Sequence, residues 1–358
     1  MMREERAGTN PAPTIMSGSN NNFLPRLMRG EHLSRSEASQ LLDWFLNGKA
    51  SDGQIAAALI ALKLKGETVE ELAGFAEGMR ARAVRIESRH DRFIDTAGTG
   101  SSCAKTFNVS TAAAFVIVGA GLPVAKHGNR AASSKCGSAD VLTALGVNIS
   151  VAPEVSQECL NELGICFMFA PLYHSATARV AAIRRELGVQ TTFNLLGPLT
   201  NPAGAPRQII GVSDRSKVEP MARALALLGT ERAWVVHGTD GLDEITIGEQ
   251  TIVAEAINGN VRQFEIAPAD FGIEPTRFDD LGAGDADTNA QVISDVLAGN
   301  RRDAARLLVL VNAAAALHVG GVAPDLKEGM RLAEQSLDNG CAGEKLNELI
   351  RFTRDEGA

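Results

Sequence analysis

Hydrophobic positions between Leu33 and Val84 recur at helical spacing, and polar residues divide this segment into three parts. Each part opens on serine or threonine with glutamate or glutamine three residues later: Ser34 with Glu37, Ser51 with Gln54, and Thr68 with Glu71. This spacing is the capping box, which satisfies two backbone N–H groups at a helix start. Gly48 and Gly66 stand where the first two helices should end. The pattern predicts a small all-helical domain.

Beyond His90 the pattern changes to short apolar runs that alternate with helical segments. The runs and segments are Phe93 to Thr96, Ser110 to Val118, Leu122 to Ala125, Ala139 to Leu145, Val147 to Val151, Val155 to Leu163, Ile165 to Ala170, Gln208 to Val212, Val218 to Leu228 and Ala233 to His237. Such alternation is typical of parallel βα units. It predicts an α/β fold whose larger domain has a mostly parallel central sheet flanked by helices.

The rest of the chain predicts additions to these two domains. A helix is expected from Thr177 to Leu187, followed by TTFNLLGPLTNPAGAP, which is too rich in Gly, Pro and Asn for regular structure. The runs ITI, TIVAEA and VRQFEI between Glu244 and Glu265 predict antiparallel strands, with turns at Gly248 and at Asn258 to Asn260. Closing helices are expected at Ala290 to Ala298, Ala304 to Val319, Leu326 to Asp338 and Glu344 to Arg351.

These elements predict where the domains begin and end. Residues 1–23 are polar and are expected to form a flexible extension without the apolar core of a signal peptide. Residues 24–90 form the predicted helical domain, with a contribution from about 174–200. Residues 91–173 and 201–358 form the predicted α/β domain.

Composition excludes several classes of partner. The net charge of −8 and an aromatic content of 4% argue against a nucleic-acid-binding surface. The longest uncharged stretch, Val109 to Ala125, is shorter than a membrane-spanning helix and contains two glycines and a proline, so no membrane segment is expected. The five cysteines are scattered and form no CxxC pair, which favours a reduced cytoplasmic protein without a zinc site.

A glycine-rich turn follows the first predicted strand. Gly98, Thr99 and Gly100 come directly after it, and the next helix is expected to open near Asn108, Ser110 and Thr111. Glycine lets backbone N–H groups approach a ligand closely, and a helix start adds further donors. The spacing fits a phosphate cradle, and an ordinary βα turn with a capped helix fits it equally well. A nucleotide-binding P-loop does not fit, because Ala104 precedes Lys105 where glycine is required.

The second predicted strand is followed by a run of donors. Lys126 to Arg130 contains two cations, a histidine and a glycine, and Ser133 to Ser138 adds hydroxyl groups and another lysine. Carboxyl ends of strands are where open α/β sheets bind ligands. This concentration of donors favours a phosphate-binding loop over a solvated basic loop.

Two further charged groups are candidates for ligand contacts. Asp243 and Glu244 follow the predicted strand AWVVHG, and paired carboxylates near phosphates point to Mg²⁺, although such a pair is often only solvated surface. Arg184 and Arg185 could offer a guanidinium fork to a carboxylate, or could be ordinary exposed arginines. We assign no catalytic acid, base or nucleophile, because the histidines His127, His174 and His237 accompany no nucleophile motif.

Four of these segments together resemble anthranilate phosphoribosyltransferase, the second enzyme of the tryptophan branch. They are NVST at Asn108 to Thr111, VAKHGNRAASSKCGSADVLTALG at Val124 to Gly146, RRELGVQTTFNLLGPLTNPAG at Arg184 to Gly204, and the Asp243–Glu244 pair. The resemblance covers nearly everything from Leu24 onward. It implies transfer of the 5-phosphoribosyl group from 5-phosphoribosyl 1-diphosphate to the amine of anthranilate, a requirement for Mg²⁺, and a homodimer formed through the helical domain.

The resemblance also implies roles for individual residues. Those expected to bind 5-phosphoribosyl 1-diphosphate are Gly98, Thr99, Gly100, Thr106, Asn108, Ser110, Thr111, Lys126 and Ser138. Those expected to bind anthranilate are Gly98, Asn129, Arg184 and Gly197, and those expected at the metal are Ser110, Asp243 and Glu244. One departure stands out: the family's GTGGD reads GTGSS here, so the role of its carboxylate is not transferred to Ser102.

Two alternatives share the predicted architecture. A pyrimidine nucleoside phosphorylase has the same two-domain plan, but the KHGN and FNLLGPLTNP segments argue against it. A nucleic-acid-binding relative of the fold is disfavoured by the net charge of −8.

Overall fold

The structure, a computed structural model, describes residues 22–100, 106–131, 136–277, 281 and 284–355. Its α-helices are α1 Phe23–Met28, α2 Arg35–Leu46, α3 Asp52–Lys65, α4 Val69–Arg80, α5 Val109–Gly119, α6 Ser138–Ala144, α7 Pro153–Glu158, α8 Ala170–Tyr173, α9 Ala178–Leu187, α10 Phe193–Leu196, α11 Val218–Leu227, α12 Ala286–Leu297, α13 Ala304–Val319, α14 Leu326–Asp338 and α15 Cys341–Asp355. A π-helical turn at Cys159–Leu163 extends α7, and short 3₁₀ turns occupy Ser175–Thr177, Gly197–Leu199, Arg215–Lys217 and Pro268–Phe271.

All three predicted capping boxes are present. At the start of α2, the Ser34 hydroxyl accepts from the Glu37 backbone N–H at 3.3 Å, and the Glu37 carboxylate accepts from the Ser34 backbone N–H at 2.9 Å. The same reciprocal bonds begin α3 at Ser51 and α4 at Thr68. Local sequence therefore sets where the N-terminal helices begin, and the predicted helical domain is confirmed as an architectural feature.

The strands form one sheet in the order β3-β2-β1-β4-β5-β6-β7. They are β1 Ile94–Gly98, β2 Val124–Gly128, β3 Ile165–Phe169, β4 Arg207–Gly211, β5 Arg232–Gly238, β6 Thr251–Ile257 and β7 Asn260–Ile266. The pairs up to β4–β5 are parallel, and β6 and β7 add antiparallel. The predicted, mostly parallel sheet flanked by helices is therefore confirmed.

Four of the parallel strands end on glycine at the same edge of the sheet: Gly98, Gly128, Gly211 and Gly238. At three of these positions, Gly128, Gly211 and Gly238, a Cβ would lie closer than 3.0 Å to another residue. A Cβ at Gly211 would lie 1.7 Å from the carbonyl oxygen of Asp243, and one at Gly128 would lie 2.2 Å from the hydroxyl of Ser138. Because these glycines lack Cβ, the loops that follow the strands can lie directly against the sheet edge.

Two apolar clusters pack on the sheet. In the first cluster, helices α5, α6 and α12 through α15 pack on one face of the sheet. Helices α5 and α13 are almost wholly apolar and buried. In the second cluster, helices α1 through α4 pack together with α11 and with residues of α9 and α10. These helices cover the other face of strands β4 through β6, between Ile210 and Ala256. The helical N-terminal part therefore shares one continuous core with the sheet.

Two predicted strands are wrong. Val147, Ile149 and Val151 are buried, but the segment lies outside the sheet because side chains bond its backbone: the Asn148 N–H donates to the Thr353 hydroxyl at 3.2 Å, and the Ser150 N–H donates to the Asn148 side-chain oxygen at 3.0 Å. The ITI run is also buried without strand pairing. The amide of Asn312 accepts from the N–H of Ile245 and donates to its carbonyl oxygen, both at 3.0 Å, so a side chain takes the place of a neighbouring strand.

Other differences concern where elements begin and end. Strand β2 continues through Gly128, so Lys126 and His127 lie within a strand and not in the loop after it. The segment predicted to lack regular structure contains one turn of helix, α10, and the 3₁₀ turn Gly197–Leu199. Helix α12 begins four residues before the predicted Ala290, because Asp285 caps it.

Some expectations fall outside these observations. Residues 1–21, Ser101, Ser102 and the 132–135 part of the serine-rich loop are not among the described residues. The domain boundaries remain a prediction. Within the described ranges, no helix combines the length and apolar character needed to cross a membrane.

Candidate active site

A cleft of about 410 Å³ opens at the carboxyl edge of the sheet. It is lined by every residue expected to contact a substrate or metal: Gly98, Thr99, Gly100, Thr106, Asn108, Ser110, Thr111, Lys126, Asn129, Ser138, Arg184, Gly197, Asp243 and Glu244. These residues come from segments spread over about 150 positions, and the carboxyl ends of adjacent strands bring them together. The structure thus places the predicted residues in one site, and their individual roles stay predictions.

The first wall is the turn after β1 and the start of α5. Gly100 has φ +67°, a conformation that favours glycine, and the Thr99 N–H donates to the Gly211 carbonyl at 2.9 Å. Asn108 occupies the N-cap position of α5, but its side chain makes no capping bond. The N–H groups of this first turn have other partners: Val109 donates to the Phe107 carbonyl at 2.7 Å, Thr111 donates to the Asn108 carbonyl at 3.0 Å, and Ser110 donates to the Glu244 carboxylate.

Lys126 and His127 point to opposite sides of β2, as consecutive strand residues must. The Lys126 ammonium donates to the Thr96 carbonyl oxygen and to the Ser110 hydroxyl, the latter at 3.3 Å. Only 4% of Lys126 is exposed, and burial lowers its pKa, while the carboxylates of Asp95 and Glu244 act in the opposite direction. Lys126 thus supplies a positive charge beneath the cradle.

Asp95, in the middle of β1, is the buried counter-charge to Lys126. Its carboxylate accepts from the Asn201 amide at 2.7 Å and from the His127 backbone N–H at 3.2 Å. Burial raises the pKa of Asp95 to about 6, and Lys126 opposes that shift. This network joins β1, β2 and the TNP segment below the cleft floor.

Asp243 and Glu244 form a half-buried acidic pair at the cleft. Burial, followed by the charge of Asp243, raises the pKa of Glu244 to about 8, while Lys126 and the Ser110 backbone N–H stabilise the charged form. Two adjacent carboxylates with a hydroxyl close by are hard oxygen donors that fit Mg²⁺. The described residues contain no group of three or more His, Cys, Asp or Glu able to hold a metal, so phosphate and water would complete the coordination.

The opposite wall carries Arg184, near the end of α9. Its guanidinium stacks on Phe193 at 5.5 Å and donates to the Asn194 side-chain oxygen at 3.1 Å. The buried Nε has no hydrogen-bond partner, and within the described part of the chain no carboxylate pairs with Arg184. Burial lowers the pKa of this guanidinium. A half-buried cation without a counter-charge is suited to an anionic ligand.

The segment carrying this wall is attached to the N-terminal helices. The Thr192 hydroxyl donates to the Glu67 carboxylate at 3.0 Å, and the Lys217 ammonium donates to the same group at 3.1 Å. The Glu67 side chain is 2% exposed. Glu67 therefore connects α3, the acceptor-side segment and the start of α11.

Two histidines lie between the walls. The His127 Nδ1–H donates to the Gly197 carbonyl at 3.2 Å, and the rings of His127 and His174 lie 5.2 Å apart. Burial lowers the pKa of His127 to about 3 and that of His174 to about 4. Both imidazoles are therefore neutral near pH 7, and His127 is part of the cleft wall.

Sequence reasoning does not single out every residue of the cleft. Phe193, Asn194 and Pro198 line it, and their signal is the FNLLGPLTNP segment as a whole. His127 lies inside KHGN, where the sequence predicts no role for its imidazole. Asp95 has no local signal, because its importance depends on partners more than 30 residues away.

Comparison with known proteins identifies relatives of both parts of the chain. A model described as "Glycosyl transferase family, a/b domain" matches residues 90–343, and one described as "Glycosyl transferase family, helical bundle domain" matches residues 21–83. Anthranilate phosphoribosyltransferase of Rubrobacter xylanophilus is 50% identical over 92% of this chain and 96% of its own length. That of Persephonella marina is 47% identical over 93% of this chain and 98% of its own length.

Solved structures agree with these relatives. The anthranilate phosphoribosyltransferase of Thermus thermophilus superposes with a TM-score of 0.87 at 38% identity, covering 93% of this chain and 99% of that one. The enzyme of Saccharomyces cerevisiae, solved in complex with PRPP and Mg, superposes with a TM-score of 0.85 at 26% identity, covering 93% and 97%. The yeast enzyme has also been solved in complex with 4-fluoroanthranilate.

Proposed function

The chain belongs to the anthranilate phosphoribosyltransferase family, and we propose that its cleft divides the reaction between a donor wall and an acceptor wall. The reaction transfers the 5-phosphoribosyl group from 5-phosphoribosyl 1-diphosphate (PRPP) to the amine of anthranilate and releases diphosphate. The donor wall is the turn after β1 with the start of α5, and the acceptor wall is Arg184 with α10.

One observation carries this proposal: the half-buried Arg184 lines the cleft, and its guanidinium has no counter-charge among the described residues. Anthranilate is an aromatic carboxylate, so it would supply the missing charge. The planar guanidinium, already held by Phe193 and Asn194, would fix the carboxylate, with Gly197 and Asn129 beside the ring. The amine would then face the donor wall.

The donor wall would hold the two phosphate groups. Gly98, Thr99 and Gly100 present backbone close to the ligand, and the hydroxyls of Ser110 and Ser138 together with the amide of Asn108 add donors. Thr106, Thr111 and Lys126 complete this set. Lys126 would act mainly by its charge, because its ammonium is already bonded to Thr96 and Ser110.

Mg²⁺ is the cofactor that this donor set and the yeast relative support. When bound, it supplies positive charge to the departing diphosphate. Asp243, Glu244 and the Ser110 hydroxyl would hold it. The two carboxylates repel each other, and this repulsion favours cation binding here more strongly than at an isolated, exposed pair.

Positioning and charge stabilisation would account for most of the rate. Aromatic amines are weak nucleophiles, so alignment of the amine with the ribose carbon matters more than a strong base. The diphosphate leaves with its charge on oxygen and needs no dedicated acid. We accordingly assign no residue as acid, base or covalent nucleophile.

The test is the loss of anthranilate fluorescence on mixing the protein with anthranilate, PRPP and Mg²⁺. Arg184→Ala should raise the KM for anthranilate roughly tenfold to hundredfold, the range for loss of a hydrogen bond to a charged group. The KM for PRPP should change little. Arg185→Ala is the matched control, because Arg185 is the neighbouring, exposed arginine of α9.

Three results would contradict the proposal. Absence of turnover by the folded protein would refute the reaction. Equal increases of both KM values in Arg184→Ala would refute the division between the two walls, and an Arg185→Ala variant that behaved like Arg184→Ala would show that helix charge alone is responsible.

We further propose that the protein is a cytoplasmic homodimer joined through its N-terminal helices. The apolar side chains of Met28 on α1 and Leu64 on α3 are 74% and 83% exposed, and these two helices pack together. Exposed apolar residues grouped in this way support a protein interface. Light scattering on the protein and on Leu64→Glu tests the dimer, and a monomeric parent protein would refute it. The reduced cysteines Cys136, Cys159, Cys166 and Cys341 support a reducing compartment, which cell fractionation tests.

A further inference from the structure

We propose that Asn289, on α12, is a positioning residue that sets which end of the Asn108 amide faces the donor. The inference rests on the proposed role of Asn108 in holding PRPP. Asn289 belongs to none of the segments that carry the family resemblance. It lies 181 positions from Asn108 in the sequence.

Asn289 is placed for contact with the cradle and not with solvent. It is 1% exposed, on the side of α12 that packs against α5 and α6, the two helices whose N-terminal ends border the cleft. A buried primary amide needs partners for both its oxygen and its nitrogen. The structure shows the Gly284 N–H, the Asn108 amide and the Cys136 thiol as its partners.

The backbone fixes the orientation of this amide. The Gly284 N–H donates to the Asn289 Oδ1 at 2.9 Å, and a backbone N–H can only donate. The Asn289 Nδ2 must therefore point the other way, where it donates to the Asn108 Oδ1 at 3.1 Å. Neither assignment can be reversed without placing two donors or two acceptors against each other.

The orientation of Asn108 follows from that of Asn289, with support from Cys136. The Asn108 Oδ1 accepts from the Asn289 Nδ2 at 3.1 Å and from the Cys136 thiol at 3.4 Å, and its Nδ2 donates to the Cys136 carbonyl at 3.4 Å. Asn108 lines the cleft but does not cap α5. To cap α5, the Asn108 Oδ1 would have to accept from a backbone N–H of that helix. This oxygen already accepts from Asn289. Asn108 thus offers an N–H donor where a phosphate needs one.

Asn289→Asp is the sharpest test, because it changes the chemistry of the contact and keeps its shape. The carboxylate can still accept from Gly284 N–H, but it cannot donate to the Asn108 Oδ1. The Asn108 amide is then expected to rotate and give its Nδ2 to residue 289. That rotation turns an oxygen toward the negatively charged donor.

The expected result is selective for one substrate. The KM for PRPP should rise about tenfold to hundredfold, the range for one hydrogen bond to a charged group, while the KM for anthranilate stays within about twofold. Gln291→Glu makes the same amide-to-carboxylate change at an exposed position two residues along α12, and it should leave both KM values unchanged. Thermal unfolding of each variant checks that the fold is intact.

A double-mutant cycle separates positioning from a general loss of structure. If Asn289 acts through Asn108, Asn289→Asp should have little further effect on the KM for PRPP in an Asn108→Ala background. If Asn289→Asp does not fold, Asn289→Ser replaces it in the same cycle. Its shorter hydroxyl cannot span both partners, so the same selective rise is expected.

Any of three outcomes would overturn the inference: an unchanged KM for PRPP in the residue-289 variant, equal rises in both KM values, or full additivity with Asn108→Ala. An Asn108→Ala variant with an unaltered KM for PRPP would also overturn it. None of these outcomes is the same as an inactive parent protein, which would instead refute the proposed function.

Discussion

Two imidazoles buried in their neutral form should lower the free energy of unfolding in mild acid, while the raised pKa values of Asp95 and Glu244 act in the opposite direction. The pKa is about 3 for His127 and about 4 for His174 in the folded state, against 6.5 for the ordinary side chain. Below pH 6.5 the unfolded chain therefore binds protons that the folded chain does not. Each imidazole lowers the free energy of unfolding by about 1.4 kcal/mol per pH unit in this range. Between pH 7 and pH 4.5 the pair accounts for a loss of about 5 kcal/mol.

Urea unfolding followed by circular dichroism at several pH values measures this loss. His174→Gln removes one of the two buried imidazoles, so between pH 7 and pH 4.5 its unfolding free energy should fall by about 2.5 kcal/mol less than that of the parent protein. His32→Gln, at an exposed position, should leave the pH dependence as in the parent protein. The reasoning would be refuted if His174→Gln fell as steeply as the parent, or if His32→Gln flattened the dependence equally.

Two further predictions concern the acidic pair. In Gly211→Ala the new Cβ would lie 1.7 Å from the Asp243 carbonyl oxygen, so the loop must move, and turnover at a fixed Mg²⁺ concentration should fall at least about tenfold. Gly53→Ala, with nothing within 4 Å, is the control, and equal activity of the two variants would contradict the prediction. Because the pKa of Glu244 is about 8, Mg²⁺ binding at pH 7 should release about one proton per ion. Calorimetry in two buffers of different ionisation enthalpy measures this, and identical heats would count against it.

The accuracy of the sequence predictions depended on how local the signal was. A capping box is complete within four residues, so Ser34, Ser51 and Thr68 marked the starts of three helices correctly. Hydrophobic alternation reports burial on one side, but not which group bonds to the backbone. Ile245 has the pattern of a strand, and it is bonded to the side chain of Asn312, which the sequence places 67 positions away.

The sequence predicted about as much of the candidate site as it did of the fold. The site's main residues lie at or just after the carboxyl ends of strands, and the carboxyl ends of parallel strands lie at one edge of the sheet, so Gly98, Lys126 and Asp243 could be expected together. Supporting residues could not be found in this way. Asn289 and Glu67 act through one or two contacts to distant segments, and nothing around them in the sequence distinguishes them from ordinary polar residues.

The shared core has a consequence for biosynthesis. Helices α1 to α4 leave the ribosome first, but the apolar cluster that buries them includes Ile183, Leu199 and residues of β4 to β6, as far along as Ala256. A nascent chain of about 90 residues thus has helices whose apolar faces are not yet covered, and these must wait until about 170 more residues have been made. The order of synthesis and the order of folding therefore differ, and the N-terminal helices, expressed alone, should be prone to aggregation.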